Sequence, residues 1–165
     1  MSYDMIQFDG ETYPAFQSRG FASQFAIPYA KHYCNGMGVD IGCNRLEWMF
    51  PGAIPVDPNI NQHTATNYPY KNLDYVFSSH CLEHLEKWVD ALDYWHDSLR
   101  PDGVLFLYLP DFSQRYWRPW NNRKHLHSFT PQIIKEYFET KYYDINVSGI
   151  DLNNSFMIVG KRICN

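Results

Sequence analysis

A chain of 165 residues, 45% apolar and 18% aromatic, is long enough to bury one real core and too rich in large rings to stay disordered. Its net charge of −4 gives no overall attraction to a phosphate backbone, and no run of 18 apolar residues occurs that would cross a bilayer, so neither nucleic acid nor membrane is an expected partner. The four cysteines, Cys34, Cys43, Cys81 and Cys164, make no C-x-x-C pair, which excludes a zinc ribbon; with no signal-peptide pattern in the first 30 residues, a reduced, cytoplasmic setting is expected.

No repeat, low-complexity tract or linker divides the sequence. One domain over 1–165 is predicted, with an N-terminal lid and helix segment over 1–35, a core sheet over 36–162 and a long loop over 111–129. Residues 1–18 are polar and turn-rich. "GFASQFAIPYAKHYC" then sets Phe21, Phe25, Ala26, Tyr29 and Tyr33 at helical spacing, with Pro28 as a kink. "GVDIG" (Gly38 to Gly42) is a short β-branched strand ending at glycine, and "GAIPVD" (Gly52 to Asp57) a second ending at an acid, with only the short crossover "RLEWMF" between them. "LDYVFSS" (Leu73 to Ser79) is a third strand. "EKWVDALDYWHDSLRPDG" spaces Trp88, Leu92, Trp95 and Leu99 along one helical face and stops at Pro101 and Gly103. "VLFLYLP" (Val104 to Pro110) is apolar throughout, as a central parallel strand covered on both faces must be. "TPQIIKEYFETK" is a helix with Thr130 as N-cap and Pro131 at its first position. "YDINVSGID" and "SFMIVGKRI" flank "LNN" as an antiparallel pair. Strands alternating with helices predict an α/β fold: a Rossmann-like open sheet, mostly parallel, with an antiparallel C-terminal hairpin strand at its edge.

His80, Glu83 and His84 spell H-x-x-E-H, the inverted zinc-protease pattern, and would make a zinc-dependent hydrolase if the whole pentad were helical. Leu73 to Ser79 instead reads as a strand running straight into His80, so the two rings need not converge, and no third ligand is identified. No metal is expected. His80, at a strand's carboxyl end, points toward the crevice where open sheets bind ligands. Leu82 and Leu85 pack beneath it, and His84 hydrogen-bonds within the loop.

At the ends of the first two strands stand "VDIGCNR" and "PVDPN". Gly42 lets the backbone turn sharply beside a ligand, and Asp57 ends the next strand with a carboxylate able to accept from two vicinal ribose hydroxyls. A glycine turn followed by an acid at the next strand end reads as an adenosine site. It is not a nicotinamide site, because Gly36 and Gly38 precede the strand and Cys43, Asn44 and Arg45 follow Gly42, leaving no glycine cradle for a pyrophosphate. Tyr137 and Lys141 make Y-x-x-x-K only by chance of position.

"GVDIGCNR", "VDPN", "DYVFSSHCLEHL", "LRPDGVLFLYLPD" and "HLHSFTPQIIKEYF", in this order over residues 36–162, resemble the class I S-adenosylmethionine-dependent methyltransferases, in particular the small type-11 branch with its DxGCG, LEHL and LxPGG motifs. The resemblance implies S-adenosyl-L-methionine as cofactor and a seven-stranded sheet with the last strand inserted antiparallel. It implies that Asp40, Gly42 and Cys43, with Asn44 after them, border the methionine part, that Asp57 holds the ribose and Pro58 flanks the adenine, and that Ser79 and His80 line the sulfonium side. Asn44 stands where the family has its last glycine, and Asp102 where LxPGG has its first. The stretch from Pro58 to Asn72 is too short for the family's helix and strand; Thr66 and Asn67 are the adenine contacts chosen there.

"DFSQRYWRPWNNRKHLHSF" (Asp111 to Phe129) follows the strand at whose end this family places its acceptor. Its Arg115, Arg118, Arg123 and Lys124 are interleaved with Tyr116, Trp117 and Trp120, a mixture that can stack on a sugar and pair with an anion. Arg115, Tyr116, Trp117, Arg118, Trp120 and Arg123 are the substrate-binding candidates; His80, His125, His127 and Asp111 are the candidates to take a proton from the acceptor. Arg19 is a surface arginine within reach of the cofactor carboxylate. The expected activity is methyl transfer to a small molecule, a sugar or glycan-related metabolite, with a homo-oligomer compatible. The rival is a non-catalytic S-adenosylmethionine-binding domain serving a partner protein, motivated by Asn44 and the shortened middle.

Overall fold

The computed structural model describes residues 4–15 and 20–163, so Arg19 and Cys164 lie outside the described residues. Strands β1 (Met5–Phe8) and β2 (Glu11–Pro14) form an antiparallel hairpin where the sequence predicted turns alone. Its two-residue loop is Asp9 (φ 49°) and Gly10 (φ 77°), the left-handed pair that a tight hairpin requires.

The main sheet holds β3 (Gly38–Ile41), β4 (Ile54–Val56), β5 (Leu73–Ser79), β6 (Leu99–Pro110), β7 (Tyr142–Val147) and β8 (Ser155–Arg162), in the spatial order β4-β3-β5-β6-β8-β7. The first four are parallel, and β8 runs antiparallel between β6 and β7. The antiparallel strand is therefore second from the edge, inserted by the hairpin as the family resemblance implies, whereas the strand pattern alone put it at the edge. Among the described residues the main sheet has six strands, not the seven that the family resemblance implies. The segment after β4 is too short for another: it folds as α2 (Pro58–Asn61) and a turn in which Thr64 and Asn67 exchange backbone hydrogen bonds.

The outer side of β4 is closed locally. Asn61 Nδ2 donates to Pro55 O at 2.5 Å and Asn61 Oδ1 accepts from Asp57 N at 3.4 Å, and Pro55 has no N–H to offer.

Alternation along β5 and β6 sorts the core into two layers. Val76, Leu105, Leu107 and Leu109 face α3 (Trp88–Ser98) and α4 (Pro131–Glu139), where Leu92, Trp95, Ile134 and Phe138 are buried. Tyr75, Phe77, Phe106 and Tyr108 face α1 (Ser23–Ala30). The buried stripe along α1 is Ala22, Ala26 and Ala30, with Phe25 packed partly against the same cluster; of the predicted face Ala26 and Phe25 meet the core, while Tyr29 and Tyr33 are exposed and are corrected. Small side chains let the helix approach a sheet face already filled with rings. Thr130 caps α4, its Oγ1 accepting from Ile133 N at 3.4 Å, as the sequence predicted. No helix among the described residues is long and apolar enough to cross a membrane.

Candidate functional site

The parallel strands end at one rim, and a cleft of about 630 Å³ opens there. Gly42, just after β3, takes φ 78°, and its N–H donates to Val56 O at 2.9 Å, tying the turn to the neighbouring strand. A Cβ at this position would lie 2.5 Å from Cys81 Sγ, so glycine is required by both backbone and space. Asn44 follows at φ 59°, the left-handed conformation that asparagine tolerates best among residues with a side chain; it meets the backbone demand of the glycine it replaces. Asp57 is nearly buried. One carboxylate oxygen accepts from Asn59 N at 2.8 Å, capping α2, and the other from Asn44 N at 2.8 Å, so this acid holds both strand-end turns together.

Asp40, in the middle of β3, is 1% exposed and accepts from Phe50 N at 2.6 Å. Burial pushes its carboxyl up to about 7; the Phe50 N–H opposes this and the charge of Asp57 adds to it. Asp40, Gly42, Cys43 and Asn44, from the end of the middle strand β3, border the cleft between Asp57 and Pro58 after β4 and Ser79 and His80 at the end of β5. The Ser79 hydroxyl is buried without a hydrogen-bond partner. Thr66 and Asn67 do not border the cleft; Thr64 and Ala65 do, because the Thr64–Asn67 turn directs its first half inward.

The opposite end of the cleft is lined by His80, Glu83, His84, Trp117, Lys124 and His125. Leu82–His84 form one 3-10 turn after β5, so the pentad is not the long helix that the zinc-protease pattern needs. The loop after β6 is nonetheless drawn against it, since Glu83 O accepts from Leu126 N at 2.8 Å and His127 N at 3.2 Å. His125 is thereby buried next to Glu83 and stacked on Trp117 at 4.8 Å between centroids. Burial presses the imidazoles of His80 and His125 down to about 3, helped by the neighbouring histidines, so both are neutral at pH 7. Burial likewise pushes the Glu83 carboxyl up to about 7, against the pull of His84. His80 sits at φ 50° with its N–H donating to Tyr108 O at 2.9 Å.

Other predicted residues are turned elsewhere. Asp111 accepts from Ser113 N at 2.9 Å within its own turn, and His127 Nε2 donates to Leu85 O at 3.0 Å; neither borders the cleft. Arg115 reaches the β1–β2 hairpin, 3.5 Å from Asp9 and 3.8 Å from Glu11, and Tyr116 packs edge-on against Phe8. Arg118 donates to Phe112 O and lies over the Phe112 ring, while Trp120 and Arg123 are exposed on the outside. Of the six substrate candidates, Trp117 alone borders the cleft. The loop's cationic and aromatic side chains mostly fasten it to the hairpin and to itself. The sequence reading missed Thr64 and Ala65, named Lys124 in the loop without carrying it into the substrate candidates, and dropped Glu83 and His84 with the metal pattern although that pattern was the signal for them.

A glycine turn and an acid at adjacent strand ends, a shared cleft and one antiparallel strand inserted next to last define a class I methyltransferase. A methyltransferase-domain family model matches residues 21–144, and the chain belongs to that family. Among solved structures, a SAM-dependent methyltransferase of Thermotoga maritima superposes with a TM-score of 0.70 at 17% identity, covering 89% of this chain and 92% of that one. A complex between the Haloferax volcanii Trm112 methyltransferase activator and a methyltransferase gives 0.69 at 10% identity, covering 91% and 92%. The N-methyltransferase NodS of Bradyrhizobium japonicum, solved with S-adenosylhomocysteine, gives 0.59 at 13% identity, covering 90% and 88%. No curated protein matches the sequence.

Proposed function

We propose that the chain methylates a small hydroxylated acceptor, a sugar or glycan-related molecule, bound at the Trp117 and Lys124 end of the cleft. The carrying observation is that Gly42 and Asp57 open on the same cleft as this polar, aromatic end. The site fits the cofactor in size and donors. A volume of about 630 Å³ is that of a nucleoside-sized pocket. Each Asp57 oxygen already accepts one backbone N–H and keeps a lone pair for a ribose hydroxyl. The Ser79 hydroxyl, otherwise orphaned, supplies a further polar contact.

When bound, the cofactor supplies a methyl group already activated on a sulfonium. The protein's part is then to position the acceptor. His80, kept neutral by burial, accepts a hydrogen bond from the acceptor hydroxyl in this reading. Ser155 Oγ gives its own proton to Asn153 O at 3.1 Å, so it accepts from His80 Nε2–H at 3.1 Å, and the His80 Nδ1 lone pair is left facing inward. Asn44 no longer argues for a binding-only domain, since it adopts the backbone of the glycine it replaces.

Calorimetry with S-adenosylmethionine and S-adenosylhomocysteine tests the cofactor end. Asp57→Ala is expected to weaken both by about a hundredfold, the loss of charged hydrogen bonds worth about 3 kcal/mol. A radiolabel transfer screen over monosaccharides, glycosides and small amines tests the acceptor; transfer to amines alone would overturn the hydroxylated class.

A further inference from the structure

Glu83 is the anomaly of the molecule. It is fully buried, borders the cleft, and neither carboxylate oxygen has a hydrogen-bond partner. A buried carboxyl left so costs several kcal/mol unless something cationic or a proton meets it. What surrounds Glu83 Oε1 is imidazole nitrogen: His80 Nδ1 at 3.7 Å, His84 Nε2 at 3.8 Å and His125 Nε2 at 4.0 Å. These separations are too long for hydrogen bonds.

The tautomers sharpen the point. His84 Nδ1 lies 2.7 Å from Lys124 O, and a carbonyl only accepts, so Nδ1 carries the hydrogen and Nε2 presents a lone pair to Glu83. His80 donates from Nε2 to Ser155, so its Nδ1 also presents a lone pair. With Glu83 ionised, acceptors thus face acceptors across an unbridged gap; the His80 and His84 rings are each oriented by a hydrogen bond from the far nitrogen, the outer-shell arrangement that metal-ligating histidines show, and the His125 ring is held by stacking on Trp117.

We infer that Glu83, His84 and His125 form a binding site for a divalent transition-metal ion at the acceptor end of the cleft, with His80 flanking it. One ligand atom from each of the three lies within 4.8 Å of the others. An ion about 2.1 Å from each ligand of a tetrahedral set needs those atoms roughly 3.4 Å apart, so the Glu83–imidazole separations must shorten by about half an ångström and the widest pair by up to about 1.4 Å, a shift that side-chain rotation supplies. Two imidazoles and a carboxylate suit zinc, iron or manganese better than magnesium. Three protein ligands leave a coordination position free, and the cleft is where it opens. The site differs from the sequence pattern that first suggested zinc, because His125 from the distant loop, not His80, completes the set.

The test uses the full-length protein, stripped with a chelator and dialysed, without cofactor or acceptor, so that its outcome is separate from the methyl-transfer reading. Zn²⁺ and Mn²⁺ are titrated by calorimetry with Mg²⁺ as contrast, and bound metal is counted by elemental analysis. One Zn²⁺ or Mn²⁺ per chain is expected. Glu83→Gln, which keeps shape and removes the charge, should weaken binding about a hundredfold, and His84→Ala and His125→Ala should each do at least as much. His32→Ala, on the exposed end of the helix segment, should leave it unchanged. Circular dichroism and S-adenosylhomocysteine binding report whether each variant is folded. Absence of stoichiometric metal in the folded wild type would overturn the site, as would full affinity in folded Glu83→Gln or His84→Ala, or a loss caused equally by His32→Ala.

Discussion

The two ends of the cleft handle buried acids in opposite ways. At the proposed cofactor end, Asp57 accepts two backbone N–H groups and Asp40 one, so both carboxyls are partnered before any ligand arrives. At the proposed acceptor end, Glu83 has no donor and is ringed by imidazoles. The first arrangement makes a rigid, self-supporting cradle; the second is incomplete until a positive partner enters. A fold that fixes its strand-end acids with backbone amides can leave the neighbouring subsite open to be set by side chains alone.

The sharpest way to break the contrast is to disturb the cradle's backbone. Gly42→Ala forces a Cβ onto Cys81 Sγ and onto a φ of 78°, adding overlap to left-handed strain. Urea denaturation is expected to show a loss of about 3 kcal/mol or more, with cofactor binding reduced in whatever remains folded.

Next in size is Asp40→Asn, which tests how fully partnered the cradle's acids are. The Asp40 carboxyl stands at about 7 in the folded chain against 3.8 in the unfolded one. Between about pH 4 and pH 7 the folded state therefore keeps a proton that the unfolded state has lost, and stability falls as pH rises through that window. The asparagine variant keeps an acceptor for Phe50 N and has nothing to ionise. Its stability relative to wild type should rise by a few kcal/mol from pH 4 to pH 7.5 in cofactor-free protein. The buried imidazoles of His80 and His125 work in the other direction, but equally in both proteins, so the difference isolates Asp40.

The smallest effect is expected from Asn44→Gly. Glycine suits φ 59° equally well, and the change removes only the Asn59 Nδ2 to Asn44 Oδ1 hydrogen bond of 3.0 Å. A change within about 1 kcal/mol, with S-adenosylhomocysteine affinity kept, is the outcome that agrees with Asn44 as a stand-in for glycine. A larger loss would mean that the side chain itself builds the cradle.

The sequence made some of this readable and hid the rest for identifiable reasons. β5 and α3 show in strong local periodicity, and Gly42 and Asp57 show as strand-end residues whose chemistry is local. The place of β8 does not, because it is decided by which side of β6 the hairpin joins. The β1–β2 hairpin was missed in a polar segment, although Asp9-Gly10 carried its turn signal. Helix α1 was misread because packing against a ring-filled sheet favours its alanines over its tyrosines. In the loop, Arg115 and Tyr116 were assigned to substrate when the unforeseen hairpin claims them. His125 is brought to Glu83 by the backbone N–H groups of Leu126 and His127 donating to Glu83 O, which no side-chain spacing records.

One carboxamide also determines how far this sheet extends. Asn61 binds Pro55 O and Asp57 N on the outward margin of β4, doing for that margin what one more strand would do. With no free N–H at Pro55 and its carbonyl already engaged, the margin offers no zipper for a passing extended peptide, so the loss of a strand need not expose the chain to edge-to-edge aggregation.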